Sequence, residues 1–194
     1  MHFVMNETQS SDPVLEVARQ GAVAYLRVMG RATFKAGPVL KQFGTAAIED
    51  GCARIVLDAS ACEGMDSTFM GVLAGLATRL ARQTGGKMLM LNVPDKLFEV
   101  LSTLGLAQLM ECHRLGAAPE PLVAPPLAAQ VLSPLAAAGA DSQTTRRVML
   151  EAHTTLAAVS DANQLRFKDV LAYLREDVRQ PADGGRRKSD DGPN

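Results

Sequence analysis

Residues 54–93 read RIVLDASACEGMDSTFMGVLAGLATRLARQTGGKMLMLNV, and this stretch decides the fold. Arg54-Ile55-Val56-Leu57-Asp58 is a short, continuously apolar run of the kind found in a strand buried on both faces. Lys87 to Val93 (KMLMLNV) is a second such run. Between them, Phe69, Val72, Leu73, Leu76 and Leu80 stand at i, i+3, i+4, i+7 and i+11, the apolar stripe of a helix that must face a core. Residues 59–66 are expected to be the loop that enters this helix, and Gly85-Gly86 to end it. Strand, helix and strand in this order define a unit of an α/β domain, with a right-handed crossover.

The flanking sequence extends the unit in both directions. Val14-Leu15-Glu16-Val17 and the run from Ala22 to Met29 read as strands of a hairpin around Arg19-Gln20-Gly21. From Lys35 to Asp50, Val39, Leu40, Phe43, Ala47 and Ile48 recur at helical spacing, with Gly37 and Pro38 in the first turn and Gly51 at the end. Downstream, Pro94 opens a helix carrying Leu97, Val100, Leu101 and Leu104, Gly105 closes it, and Leu109 to Cys112 forms a last short strand. The order β-β-α-β-α-β-α-β predicts an α/β domain with a mixed sheet of about five strands.

Composition changes after Leu115. Residues 116–140, GAAPEPLVAPPLAAQVLSPLAAAGA, combine prolines and alanines without amphipathic period and read as a linker. Asp141 to Val159 and Leu165 to Val178 are helical in pattern, separated by a break with capping residues at Ser160-Asp161-Ala162-Asn163. Met149, Leu156 and Val159 can meet Phe167, Val170, Leu171 and Leu174 in an antiparallel pair. Two helices alone have a thin core, so the pair is expected to dock on the first domain, with homodimerisation or a partner helix as the other outlets. The organisation is thus a domain over 12–115, a linker over 116–140, a helical extension over 141–179 and a disordered tail over 180–194. Residues 1–11 are expected to be loose as well.

Composition also excludes several functions. Twenty basic residues against twenty-one acidic ones give a formal net charge of -1, and the basic residues are scattered apart from Arg186-Arg187-Lys188, which argues against direct nucleic-acid binding. No tryptophan and 4% aromatics leave little material for stacking on bases. No apolar run reaches the length of about eighteen residues needed to span a bilayer, and the N-terminus lacks a signal-peptide pattern. No membrane insertion and a cytoplasmic location are therefore expected. Cys52, Cys62 and Cys112 suggest neither a disulfide framework nor a zinc site. His2, His113 and His153 are dispersed without the context of a serine or cysteine triad and read as satisfied or exposed histidines. None of the glycines makes a phosphate loop. No cofactor, metal or catalytic residue is proposed, and the chain is not expected to be an enzyme.

With Asp58 ending a buried strand, a short loop, Asp66-Ser67 and Gly71 in the following helix, the central block resembles STAS domains of the anti-sigma-factor-antagonist family. The next segment, with Leu101, Leu104, Gly105 and Leu106, resembles the family's following helix and its Gly-Leu ending. The resemblance covers about residues 12–115. It implies a mixed sheet with helices mainly on one side, and signal transduction in transcription regulation by partner switching. An anti-sigma factor or related serine kinase would bind the unphosphorylated protein and phosphorylate the serine matching Ser67, and a serine phosphatase would restore the binding form. Thr68 is the alternative acceptor, and Asp66, Ser67, Thr68 and Met70 are the expected partner-binding residues. The chain departs from the family pattern in its bulky first turn, Thr68-Phe69-Met70, of which Phe69 reads as core.

Elementary electrostatics supports a phosphoserine at this place. A helix N-terminus offers unpaired N–H donors and the positive end of the helix dipole. Phosphorylation adds roughly −1.5 to −2 charge, tolerated there but costly inside an interface. The plainer reading is that Asp66 or Ser67 merely caps the helix. In the alternative function, a constitutive STAS accessory subunit of an ABC-type lipid transporter, Ser67 has only that role.

Overall fold

The computed structural model of the protein describes residues 14–117, 132–135 and 140–180. The expected loose N-terminus over 1–11, most of the 116–140 linker and nearly all of the 180–194 tail lie outside the described residues. A hairpin, β1 (Val14–Gln20) and β2 (Val23–Ala32), leads into α1 (Gly37–Glu49), β3 (Arg54–Met65), α2 (Ser67–Thr84), β4 (Lys87–Val93), α3 (Asp95–Thr103) and β5 (Glu111–Arg114). A two-residue strand β6 (Ser133–Pro134) follows, and then α4 (Ser142–Ala157) and α5 (Asp161–Arg179).

These strands form one six-stranded mixed sheet in the order β5-β4-β3-β2-β1-β6. β1 is antiparallel to β2 and to β6, whereas β2, β3, β4 and β5 pair in parallel. The sheet therefore has one strand more than the expected five. The addition comes from within the proline-rich linker, where Val17 faces Ser133 and Glu16 faces Pro134. Proline is compatible with this place because β6 is an edge strand.

The two apolar runs are central strands, as their composition requires. The segment expected to be a loop before α2 is instead the second half of β3. Its first half pairs on both sides, Arg54–Asp58 with β2 and with β4. Its second half continues along β2 alone, through register shifts, to Arg31↔Gly64 and Ala32↔Met65. ASACEG lacks the β-branched residues that mark strands, but the long neighbouring strand supplies the hydrogen bonds, and Ala59 and Cys62 are buried. α2 then ends at Gly85, which takes the left-handed conformation (φ +67) that an L side chain would resist.

Alternation along the strands separates two faces. One carries Ala24, Leu26, Val28, Ile55, Leu57, Met88 and Met90 into the main core, under residues of α1, α2, α4 and α5. On the other, Tyr25, Val56 and Leu91 form a smaller cluster with Ala18, Val23 and Leu132 beside it. The helices thus lie mainly on one side of the sheet. The C-terminal pair is not a separate unit with its own thin core. Val148, Ala152, Leu156, Phe167 and Leu171 belong to the same core as the sheet.

Candidate functional site

Ser67 stands at the first position of α2, where β3 ends and the chain turns onto the helical face of the sheet. Asp66 immediately before it has extended backbone (φ −82, ψ 170) and is the helix cap. Its carboxylate accepts from Phe69 N at 2.8 Å and from Phe34 N at 2.6 Å, tying α2 to the turn that precedes α1. The capping role thus falls to Asp66, and the Ser67 hydroxyl is left for another partner.

That partner is His153 of α4, whose Nε2 lies 2.9 Å from Ser67 Oγ. The other ring nitrogen, Nδ1, is 2.8 Å from the carbonyl oxygen of Met149, one turn earlier in the same helix. A carbonyl can only accept, so Nδ1 carries the hydrogen, and in the neutral ring Nε2 is the acceptor for the Ser67 hydroxyl. His153 is only 4% exposed, and its ring meets Phe167 edge to face with centroids 5.5 Å apart. A serine donating to a histidine is the geometry that activates a nucleophile. Here the histidine is buried while Ser67 itself is only partly buried, and a backbone carbonyl stands where a triad has a carboxylate.

α4 reaches Ser67 because α2 presents small residues to it. A Cβ on Gly71 would lie 2.4 Å from the carbonyl oxygen of Ala152. Only glycine permits this approach. Gly75, one turn on, faces Thr155 with just enough room, a Cβ there lying 3.9 Å from its hydroxyl. Further along the seam, Lys41 of α1 pairs with Glu151 of α4. At the other end Asn163 is fully buried and donates through Nδ2 to the carbonyls of Leu104 (3.0 Å) and Leu156 (2.9 Å). It fastens the start of α5 to the ends of α3 and α4.

The remaining residues singled out in the sequence fall in different places. Thr68, the alternative acceptor, is 3% exposed, and Met70 is 4% exposed and in the main core. Neither presents a side chain to a partner in this conformation. An apolar-periodic helix buries most of its first turn when helices pack on both sides of it. Asp58 is buried in β3, where Asn92 Nδ2 (2.9 Å), Ser60 N (3.1 Å) and Arg27 Nε (3.1 Å) donate to its carboxylate. Burial pushes its pKa up, but these hydrogen bonds outweigh burial and hold it below the ordinary carboxylate value. Asp58 is thus a fixed anion within the sheet, remote in role from the helix start. Leu101, Leu104 and Leu106 are buried, and Gly105 takes a left-handed conformation between them.

His153 and Asn163 are the site residues that the sequence reading missed. The sequence gives no sign that the partner satisfying His153 is a serine 86 positions away. A usable signal existed, since Met149, His153 and Leu156 share one face of α4, and a histidine on a buried stripe needs a polar partner. Among the described residues, no group of three or more His, Cys, Asp or Glu side chains is arranged to hold a metal ion. No helix among them is long and apolar enough to cross a membrane.

A mixed sheet covered mainly on one face by helices, with a serine opening the helix after its longest strand, is the architecture of a STAS domain. The family model described as "Mlab, STAS domain" matches residues 15–111, and the chain belongs to this family. No curated protein matches the sequence significantly. Among solved structures, the anti-sigma factor antagonist SpoIIAA in its unphosphorylated form is 18% identical, with a TM-score of 0.42 over 45% of this chain and 81% of that one. An anti-sigma factor antagonist from Mycobacterium paratuberculosis is 22% identical, with a TM-score of 0.44 over 52% of this chain and 85% of that one. A putative anti-sigma factor antagonist from Thermotoga maritima is 19% identical, with a TM-score of 0.44 over 50% and 84%.

Proposed function

We propose that this chain is an anti-sigma factor antagonist that works by partner switching. It binds an anti-sigma factor or related serine kinase while Ser67 is unmodified, and phosphorylation of Ser67 releases it. A serine phosphatase resets the protein. The observation that carries the reading is the place of Ser67, first in α2 with its cap supplied by Asp66. Its hydroxyl is not consumed in holding the helix together, so modification leaves the helix intact. The phosphate meets the positive end of the helix, while a partner surface closed over it has to desolvate roughly −1.5 to −2 of charge. An unfavourable term of a few kcal/mol, about two decades of affinity, is enough for a switch. The chain itself performs no chemistry in this scheme and acts in the cytoplasm.

The test starts with capture of partners from the source cell extract and mapping of phosphosites on the recovered chain. The purified partner is then titrated against the unmodified chain, Ser67→Ala and Ser67→Asp. Ser67→Ala is expected to bind at least as tightly as the unmodified chain, and Ser67→Asp about a hundredfold more weakly. Equal affinity for all three sinks the switch.

One observation favours a second reading. The Ser67 hydroxyl is held by His153 beneath α4, as befits a purely structural serine. In that case the chain is a constitutive accessory subunit of an ABC-type lipid transporter, and the three chains bind its ATPase equally well.

A further inference from the structure

The family model ends at residue 111, yet α4, which begins at Ser142 and pairs with α5, packs along the helix that carries Ser67. Their seam differs from the core beneath it. At its centre α4 touches α2 along a narrow line where Gly71 meets the Ala152 backbone. On one side of this line is a cavity of about 480 Å³ bounded by Lys41, Thr45, Gly75, Arg79, Glu151 and Thr155. On the other is one of about 710 Å³ bounded by Gly105, Leu109, Leu150, Thr154 and Val159. Both are open to solvent, so the seam is bordered by water on either flank. The seam is also polar where the sheet core is not, since Ser67 and His153 bond within it. Asn163 Oδ1, fully buried at its end, has no hydrogen-bond partner among the described residues. A contact this narrow, flanked by open grooves and ending on an unsatisfied polar atom, is less stable than the sheet it covers, and such elements are the ones that open.

We propose that α4 and α5 form a cover over Ser67 in cis, latched by the Ser67–His153 hydrogen bond, and that the serine becomes available only when the cover lifts. The inference rests on Ser67 being the regulated residue, and adds the control of its access. The closed state uses the hydroxyl as donor to a buried ring nitrogen. A phosphate on Ser67 removes that donor and brings a phosphorus and three oxygens into a space shaped for one hydrogen. Closure and modification are therefore mutually exclusive. A kinase or partner must compete with α4, and the phosphorylated protein stays open until the phosphate is removed.

Access to position 67 can be read without any partner. Ser67→Cys in the full chain keeps the size of the side chain and a weak donor. Labelling of the introduced thiol by N-ethylmaleimide is followed by mass spectrometry, which separates it from the native cysteines. Cys52 and Cys62 are buried, and burial pushes the partly buried Cys112 thiol up to about 11. The same substitution is made together with Ala152→Arg, which places a long charged side chain where α4 faces Gly71, and separately with His153→Ala, which only removes the latch. Circular dichroism and thermal melting establish that the sheet domain is retained. The cover predicts that the introduced thiol labels at least about tenfold faster with Ala152→Arg than without it, and by an intermediate factor with His153→Ala. Equal labelling rates in folded chains overturn the cover. So does loss of the whole fold in both double variants, because the helix pair is then an inseparable part of the core. The outcome is independent of the partner titration: a switch without a cover gives fast labelling in every chain, and a cover without a switch gives slow labelling with equal partner affinities.

Discussion

α2 has two buried sides made of different material. Toward the sheet it sends Phe69, Leu73 and Leu80, all fully buried in the main core. Toward α4 it presents Ser67, Gly71 and Gly75, against which α4 sets a hydrogen bond, a backbone approach and the buried Val148, Ala152 and Leu156, between two open grooves. Large apolar side chains remove much surface from water and leave no voids, so the first side stays closed over the working range of the protein. Small and polar residues give the second side its geometry with far less hydrophobic stabilisation. One helix thereby carries a permanent joint on one side and a releasable one on the other.

The contrast can be broken most severely from the sheet side. Leu73→Ala removes a fully buried side chain and is expected to lower global stability by about 2–5 kcal/mol, measured by urea unfolding. A loss below about 1 kcal/mol would mean that this side is no better packed than the other. Gly71→Leu strikes the α4 side, where even a Cβ meets the Ala152 carbonyl. The expected cost is about 1–3 kcal/mol, expressed as loss of hydrogen-exchange protection in α4 and α5 while β3 and β4 keep theirs. Uniform loss across the sheet would show that the two joints are one.

Asp66→Ala sharpens the comparison at the point where both joints begin. It removes the bonds to Phe69 N and Phe34 N and is expected to lower stability by about 0.5–2 kcal/mol, with Asp66→Asn, whose one carbonyl oxygen can keep only one of the two bonds, restoring part of it. If Ser67 were the cap instead, Ser67→Ala would cost more than Asp66→Ala in the same melts. The smallest effect is a dependence on pH from Asp58. Its folded pKa is depressed below the ordinary 3.8, so its carboxylate stabilises the fold fully above the unfolded value and loses that contribution as pH falls through the folded one. Stability measured from pH 6 down to pH 3 should therefore drop less steeply in Asp58→Asn. A parallel profile in the two chains would remove Asp58 as the cause.

Much of the architecture is legible in the sequence alone. KMLMLNV became β4 with its predicted bounds, and the stripe from Phe69 to Leu80 became the side of α2 buried against the sheet and α1, because periodicity is a local property written in consecutive residues. The second half of β3 was not legible. Ala59 to Gly64 lacks strand-forming residues and is extended only because β2 runs beside it. The sixth strand was hidden for the same reason, since Ser133 and Pro134 form a strand only against Glu16 and Val17.

At the site, the division follows the same line. The sequence by itself determined an Asp-Ser pair opening an apolar-striped helix after a buried strand, because capping and amphipathicity act within a few residues. Which of the two residues caps, and what the other one touches, was decided only in three dimensions. His153 lies 86 positions from Ser67. It arrives there because Gly71 lets α4 descend onto α2, a contact whose stabilisation depends on both helices at once and is written in neither alone.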